Sequence, residues 1–306
     1  MRIGYMGRSR LLLDTIVLLS KSHHETAFIW TSKAESYYQC DENEFQCLAQ
    51  ELACPFYFSP KVENIRDEIK FEEVDVIISF NFVNIIPYNF LNNIKHGILN
   101  AHTGDLPRYK GNACPNWAIL NGEDKVVLTI HEMSDELDSG PVYIQEALKL
   151  DSETDITEVY AWLEKVTSAL FAKAIALIDE GVMPKSQKSC RALRTFPRKP
   201  QDSKIDWSIG VTSIHRLIRA SSRPFSGAFC SLNDDENTIV RIYKAEVIEL
   251  DYDFIAVDGQ VLEKGNDFFC VSSRNRALKI TDVAIDGYSP TESIRIITQS
   301  MRNRLT

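Results

Sequence analysis

Apolar segments of strand length alternate with segments of helical spacing from the first residues onward, and this alternation most constrains the fold. Arg2–Met6 reads as a short strand, Leu11–Leu19 as a buried helix after Gly7-Arg8-Ser9, and Ala27–Thr31 as the next apolar run. Glu42–Leu52 has helical spacing, and Val74–Phe80 is a continuous apolar strand with Asp75 near its start. Strands and helices alternating in this way predict parallel pairing in an open, mostly parallel, Rossmann-like α/β sheet with helices on both faces. Ligands of such sheets sit beyond the carboxyl ends of the strands. That rule puts Phe80–Ile86 and Asn100–Gly104 at the rim where chemistry is expected.

A long helix is expected over Asp155–Glu180, because Ile156, Val159, Leu163, Val166, Leu170, Ala174 and Leu177 recur at helical spacing. Gly181 stops it, with Pro184 just beyond. The composition then changes. Lys185, Lys188, Arg191, Arg194, Arg198 and Lys199 form a basic connector, and a second helix follows over Val211–Ser221. Short β-rich runs at Ala228–Leu232, Thr238–Leu250, Gln260–Glu263, Phe268–Ser272 and Ala277–Ala284 are punctuated by turn residues. They predict a smaller barrel-like (OB-like) β domain. The expected domains are a Rossmann-like one over 1–184, a linker over 185–207, and a helix plus β domain over 208–306.

With 306 residues, 44% of them hydrophobic, the chain has material for one large or two modest cores. Its formal net charge of −9 argues against a broad surface for polyanions, which needs clustered Lys and Arg. No charged leader with a long apolar region opens the sequence, and no run approaches the ~20 apolar residues of a membrane span. The seven cysteines are scattered and never form a C-x-x-C pair, which argues for free thiols in a reducing cytoplasm and against zinc.

The residues suited to chemistry lie between 100 and 140. Asn100 and His102 are two apart, so in an extended segment their side chains share a face. An imidazole with an unperturbed pKa near ~6.5 exchanges a proton at working pH, and an Asn amide donates to an oxygen that becomes negative in a tetrahedral intermediate. A carboxylate facing the imidazole would orient it. Asp138, beside Gly140 in an expected turn, is the first candidate, with Asp105 and Asp135 as rivals.

The segment from Asn100 to Gly111, with Leu137-Asp138-Ser139-Gly140 after it, resembles the signature of folate-dependent formyltransferases: Asn-x-His, then Leu-Pro-x-Tyr-Arg-Gly, then an Asp-Thr/Ala/Ser-Gly turn. Pro115-Asn116-Trp117-Ala118-Ile119, Thr129-Ile130-His131-Glu132-Met133, the run from Arg198 to Trp207, and Arg223-Pro224-Phe225-Ser226-Gly227 extend the resemblance, toward the nucleotide-sugar N-formyltransferases in particular. The resemblance implies a formyl donor, 10-formyltetrahydrofolate, leaving tetrahydrofolate, with no metal. It implies Asn100, His102 and Asp138 as the catalytic trio. It also implies a pterin held mostly by backbone near Phe80, Asn81, Ile85 and Ile86, and near Ser134, Asp135, Glu136 and Leu137. The chain departs from the pattern at Thr103-Gly104-Asp105, at Lys110 where Arg is usual, and at Ser139 in place of Thr or Ala. Lys110 keeps a cation and loses the bidentate fork.

Two acceptors fit this signature. Methionyl-tRNA formyltransferases share it, but the acidic balance matches tRNA poorly. The resemblance at Asn116-Trp117 and at Phe196-Pro197-Arg198-Lys199-Pro200 favours a deoxythymidine or uridine diphosphate amino sugar, used in surface polysaccharide (O-antigen or lipopolysaccharide) biosynthesis. A diphosphate wants point cations and a base wants an aromatic face. Arg108, Lys110, Arg198 and Lys199 are candidates for the first, and Trp117, Phe196, Trp207 and Phe225 for the second, with Asp105, Tyr109 and Asn116 completing the expected acceptor contacts. Trp207 and Phe225 also read as core residues, and the basic connector also reads as a solvated linker. Homodimers are the expected assembly by analogy with the family.

Other readings carry less. Gly4-Tyr5-Met6-Gly7-Arg8-Ser9 lacks the third glycine and the distal acidic residue of a nicotinamide site. A folate- or nucleotide-binding module without chemistry would not need Asn100, His102 and Asp138 together. His131 reads as a packed strand residue and His96 as a turn residue. The pair His23-His24 lies in a polar connector and, without further ligands, makes no metal site.

Overall fold

The first sheet is built from β1 (Arg2–Gly7), β2 (Glu25–Thr31), β3 (Phe56–Phe58), β4 (Val76–Phe80) and β5 (Ile98–His102), then, past the short β6 (Tyr109–Gly111), from β7 (Lys125–Glu132) and β8 (Val142–Lys149). These assignments come from a computed structural model, which describes residues 1–34, 39–65, 68–84, 86–87, 94–188 and 190–306. The strand order is β3-β2-β1-β4-β5-β7-β8. Pairing is parallel from β3 through to β5, and β7 runs antiparallel to β5. The sheet is therefore mostly parallel, as the alternation of segments requires.

The chain threads two units alternately. The first comprises Met1–Cys114, Val126–Leu148 and Tyr160–Phe196, and the second Pro115–Lys125, Lys149–Val159 and Pro197–Thr306.

In the first unit, α1 (Arg10–Leu19) buries Leu11, Leu12, Leu13, Ile16 and Leu19. Gly7, just ahead of this helix, ends β1 with φ +139, and a Cβ there would lie 1.9 Å from the Phe80 carbonyl oxygen. Close approach of β1 to β4 explains this glycine without any phosphate. The helix α2 (Glu42–Glu51) starts at a reciprocal cap. Asp41 accepts from the Asn43 and Glu44 amides, and Glu44 accepts from the Asp41 amide. One apolar cluster packs Met6, Phe28, Trp30, Ile77, Ile86, Ile94 and Ile98, with Phe82 and Met133 against it. Within it Trp30 is fully buried, and its indole N–H donates to the Ser59 carbonyl at 2.8 Å, so the large ring hides no orphan donor.

After α3 (Cys114–Asn121), the long helix α4 spans Ile156–Asp179. Gly181 adopts φ 72 beyond it, and the Val182 amide returns to the Leu177 carbonyl at 2.9 Å. This is the left-handed glycine cap that the sequence anticipated.

A short strand β9 (Leu193–Thr195) pairs with β6 in the first unit. The second unit holds α5 (Val211–Ser221), β10 (Ala228–Leu232), β11 (Asp235–Ile248), β12 (Val261–Lys264), β13 (Phe269–Ser273), β14 (Arg276–Ile285) and α6 (Pro290–Ile297). Its five strands form an antiparallel sheet in the order β10-β11-β14-β13-β12. Residues 303–306 then run between the two outer strands. Thr306 and Ser231 exchange backbone hydrogen bonds at 2.7 and 2.9 Å on one side, and Leu305 donates to Gly259 at 2.8 Å on the other. One end of each outer strand is thereby joined through a single segment, which gives this sheet its barrel-like character. Among the described residues, no helix is long and apolar enough to cross a membrane.

Candidate active site

Asn100 and His102 lie on β5, half-buried and buried respectively, and share one face of the sheet. The register with antiparallel β7 sets Asn100 opposite His131 and His102 opposite Thr129. Directly opposed residues face the same side. The sheet therefore adds a second imidazole beside Asn100, one that the sequence reading left as packing.

His131 is 2% exposed. Its Nδ1–H donates to the Glu132 carbonyl at 2.7 Å, which leaves Nε2 to accept from the Asn100 amide nitrogen at 3.4 Å. Burial pushes this imidazole down to about 4, His102 adds to the effect, and Asp138 opposes it. A neutral ring is what the Asn100 contact needs.

His102 hydrogen bonds in the other direction. Its Nε2–H donates to the Tyr109 carbonyl at 2.8 Å, so Nδ1 faces Asp138, whose Oδ2 is 3.6 Å away. Gly104 makes this packing feasible, because a Cβ there would lie 2.3 Å from His102 Nε2 and 2.5 Å from the Tyr109 oxygen. Thr129 holds the same loop by donating to the Gly104 carbonyl at 2.8 Å. Cys114 Sγ is 3.6 Å from His102 Nε2 and 3.2 Å from Thr195 Oγ1. Burial pushes that thiol up to about 11, so it is protonated and a poor nucleophile at neutral pH.

Asp138 occupies the left-handed region at φ 48. Three groups from elsewhere in the first unit hold its turn. The Gly111 amide donates to Asp138 Oδ2 at 2.9 Å, Lys110 Nζ donates to Ser139 Oγ at 2.6 Å, and the Gln187 amide donates to the Asp138 and Gly140 carbonyls at 2.9 and 2.8 Å. Lys110 and Ser139, two departures from the family pattern, thus meet each other. The second carboxylate oxygen lies 3.8 Å from His131 Nε2. Asn100, His102, His131 and Asp138 form one cluster.

The remaining residues singled out in the sequence divide between the units. Phe80 is buried and Asn81 exposed at the carboxyl end of β4, Ile86 lies in the apolar cluster, and Ile85 lies outside the described residues. Ser134, Asp135, Glu136 and Leu137 follow β7, where Ser134 Oγ donates to the Glu136 carbonyl at 3.0 Å. Phe82 and Met133 both pack on the cluster that contains Ile86, so each loop segment is anchored to the same apolar core. Asp105 accepts the Arg108 and Tyr109 amides through its carbonyl, Arg108 lies over the Tyr109 ring at 4.9 Å, and Arg194 lies over the exposed Phe196 at 5.6 Å.

The second unit holds the others. Asn116 is buried and donates to the Ala220 carbonyl at 2.9 Å. Trp207 belongs to the core of that unit, and Phe225 is half-buried. Arg198 lies 5.9 Å from the Trp117 ring and donates to the Asp202 carbonyl at 3.1 Å, while Lys199 is exposed.

Two sequence-family models match this chain, "Formyl transferase" over residues 9–175 and "Formyl transferase, C-terminal domain" over 198–296. The chain belongs to the formyl transferase family. Within it, the chain is 34% identical over 208 residues to a methionyl-tRNA formyltransferase of Fusobacterium nucleatum, covering 66% of this chain and 65% of that protein. Two solved structures of the same fold stand further off in sequence. HypX from Aquifex aeolicus, in complex with tetrahydrofolic acid, matches at 19% identity with a TM-score of 0.64, covering 94% of this chain and 44% of HypX. An N-formyltransferase from Helicobacter canadensis, in complex with folinic acid and dTDP-3-aminofucose, matches at 17% identity with a TM-score of 0.64, covering 93% of this chain and all (100%) of that one. This formyl transferase therefore spans less than two thirds of the Fusobacterium relative and under half of HypX.

Proposed function

We propose that this protein transfers a formyl group from 10-formyltetrahydrofolate to the amine of a nucleotide-linked amino sugar. The observation that carries this reading is the convergence of Asn100, His102 and Asp138 on one cluster within a formyl transferase chain. In the proposed reaction a neutral amine attacks the formyl carbon, and the carbonyl oxygen takes the negative charge. One Asn100 N–H points to His131, and its second N–H is the donor available to that oxygen. The amine must then lose a proton as the bond to the folate nitrogen breaks. His102 is the proposed carrier: Nδ1, the nitrogen not donating to Tyr109, takes the amine proton beside the Asp138 carboxylate and passes it to the folate nitrogen, which leaves as tetrahydrofolate. Phe80, Asn81, Ile86 and the Ser134–Leu137 segment are the proposed folate contacts, supported by the apolar cluster that anchors both segments through Phe82 and Met133.

The sugar reading is favoured by the net charge of −9 and by the likeness of fold to the Helicobacter enzyme. A methionyl-tRNA acceptor is the second reading, favoured by the Fusobacterium relative. Formyl transfer to dTDP- and UDP-linked amino sugars and to methionyl-tRNA, assayed side by side with His102→Ala as the control, separates them. Turnover of a sugar nucleotide that the control lacks is expected. Activity on methionyl-tRNA alone would reverse the choice of acceptor, and an undiminished His102→Ala would sink the mechanism.

A further inference from the structure

The histidine pair in the connector after α1 has no third ligand in the local sequence, but the fold brings one. Asp179, the last residue of α4, places Oδ2 at 3.5 Å from His23 Nε2 and at 3.5 Å from His24 Nε2. The two rings stand 4.0 Å apart between centroids and are tilted by 44°, so both present an edge nitrogen to the same oxygen. The three donor atoms all lie within 4.8 Å of one another. All three residues belong to the first unit.

We propose that His23, His24 and Asp179 bind a divalent transition metal of the zinc class. Zinc–nitrogen and zinc–oxygen bonds of roughly 2.0–2.2 Å in tetrahedral geometry put neighbouring donors about 3.4 Å apart. The two nitrogen–oxygen edges, each 3.5 Å, match that spacing. Two imidazoles and one carboxylate are zinc ligands by type, and water takes the fourth position. The site also has a charge argument independent of these distances. A carboxylate at a helix C-terminus faces the negative end of the macrodipole and is unfavourable there unless a cation joins it. The His24 side chain is 6% exposed, so one of the three ligands is fixed within the fold. Bound there, the ion would clasp the α1–β2 connector to the end of α4, remote in sequence from Asn100, His102 and Asp138.

The test uses the full chain without an affinity tag. Equilibrium dialysis against micromolar zinc under reducing conditions, with metal counted by mass spectrometry, should give one ion per chain, and zinc should raise the melting temperature. His23→Gln and Asp179→Asn, at side chains 78% and 34% exposed, should each weaken binding at least about tenfold and remove the thermal response, with circular dichroism unchanged. Should either variant alter the dichroism, the other decides. No bound zinc in the native chain, or affinity in both variants unchanged from the native chain, as binding at the exposed Cys47 or Cys190 would give, overturns the proposal.

Discussion

His131 occupies a position where a neutral ring and a charged ring have opposite consequences. Folded, it stays neutral because burial opposes the charge, with its pKa pushed down to about 4. Unfolded, an imidazole takes up a proton below about 6.5. The unfolded chain therefore binds more protons between those values, so stability is full above 6.5 and falls as pH drops toward 4. Between pH 7 and pH 5 this one residue should remove about 2 kcal/mol. Urea titrations of the native chain and His131→Leu at both values should show the variant losing less, and parallel losses would count against the assignment. If His131 also steadies Asn100, the same variant should lower kcat about tenfold with little change in KM. Asn100 and His102 were legible in the sequence because a period of two is a local property of one strand. His131 was not, because its place depends on β7 running antiparallel to β5, which neither segment states. Gly104 was equally opaque. Its reason is a contact with the His102 ring, two residues back but folded over it.

The turn from Leu137 to Gly140 shows how much of a site rests on an element that the sequence offers only as a spacer. Gln187 lies in the basic connector, where charge composition suggests a solvated linker, yet its amide holds two carbonyls of the Asp138 turn. Gln187→Ala should leave those carbonyls without their donor, at a cost of about 1–3 kcal/mol for buried groups. It should lower kcat several-fold by loosening Asp138 while leaving KM for folate nearly constant. A change confined to KM would place Gln187 among binding residues instead. Long regular elements, by contrast, were readable in advance. The period of α4 ran from residue 156 to 179 with a glycine cap in place, and the parallel strands followed from their apolar runs. The bridging of β10 and the start of β12 by residues 303–306 was not readable, since no local pattern marks a segment that pairs at two places at once.

For the whole molecule, charge makes the broadest prediction. An acidic protein acting on a small sugar nucleotide releases few counterions on binding, so kcat/KM for that acceptor should change less than about tenfold between 50 and 200 mM salt. A tRNA acceptor would show a loss nearer to about 10³-fold over the same range, because several phosphate contacts would be screened. Steady-state kinetics with each acceptor in a salt series gives the slope directly.

The alternating path of the chain bears on how such a protein can be inherited. Arg219 donates to the Asp151 and Thr154 carbonyls, and Asn116 to Ala220, so the second unit draws parts from 115–125 and 149–159 as well as from everything after 197. A gene fusion at one junction near residue 197 would carry the β strands away from the partners of Arg219 and Ala220. Shuffling by a single crossover would thus deliver an incomplete body, and new acceptor preferences in this lineage are expected to arise by point substitution rather than by exchange of the C-terminal half.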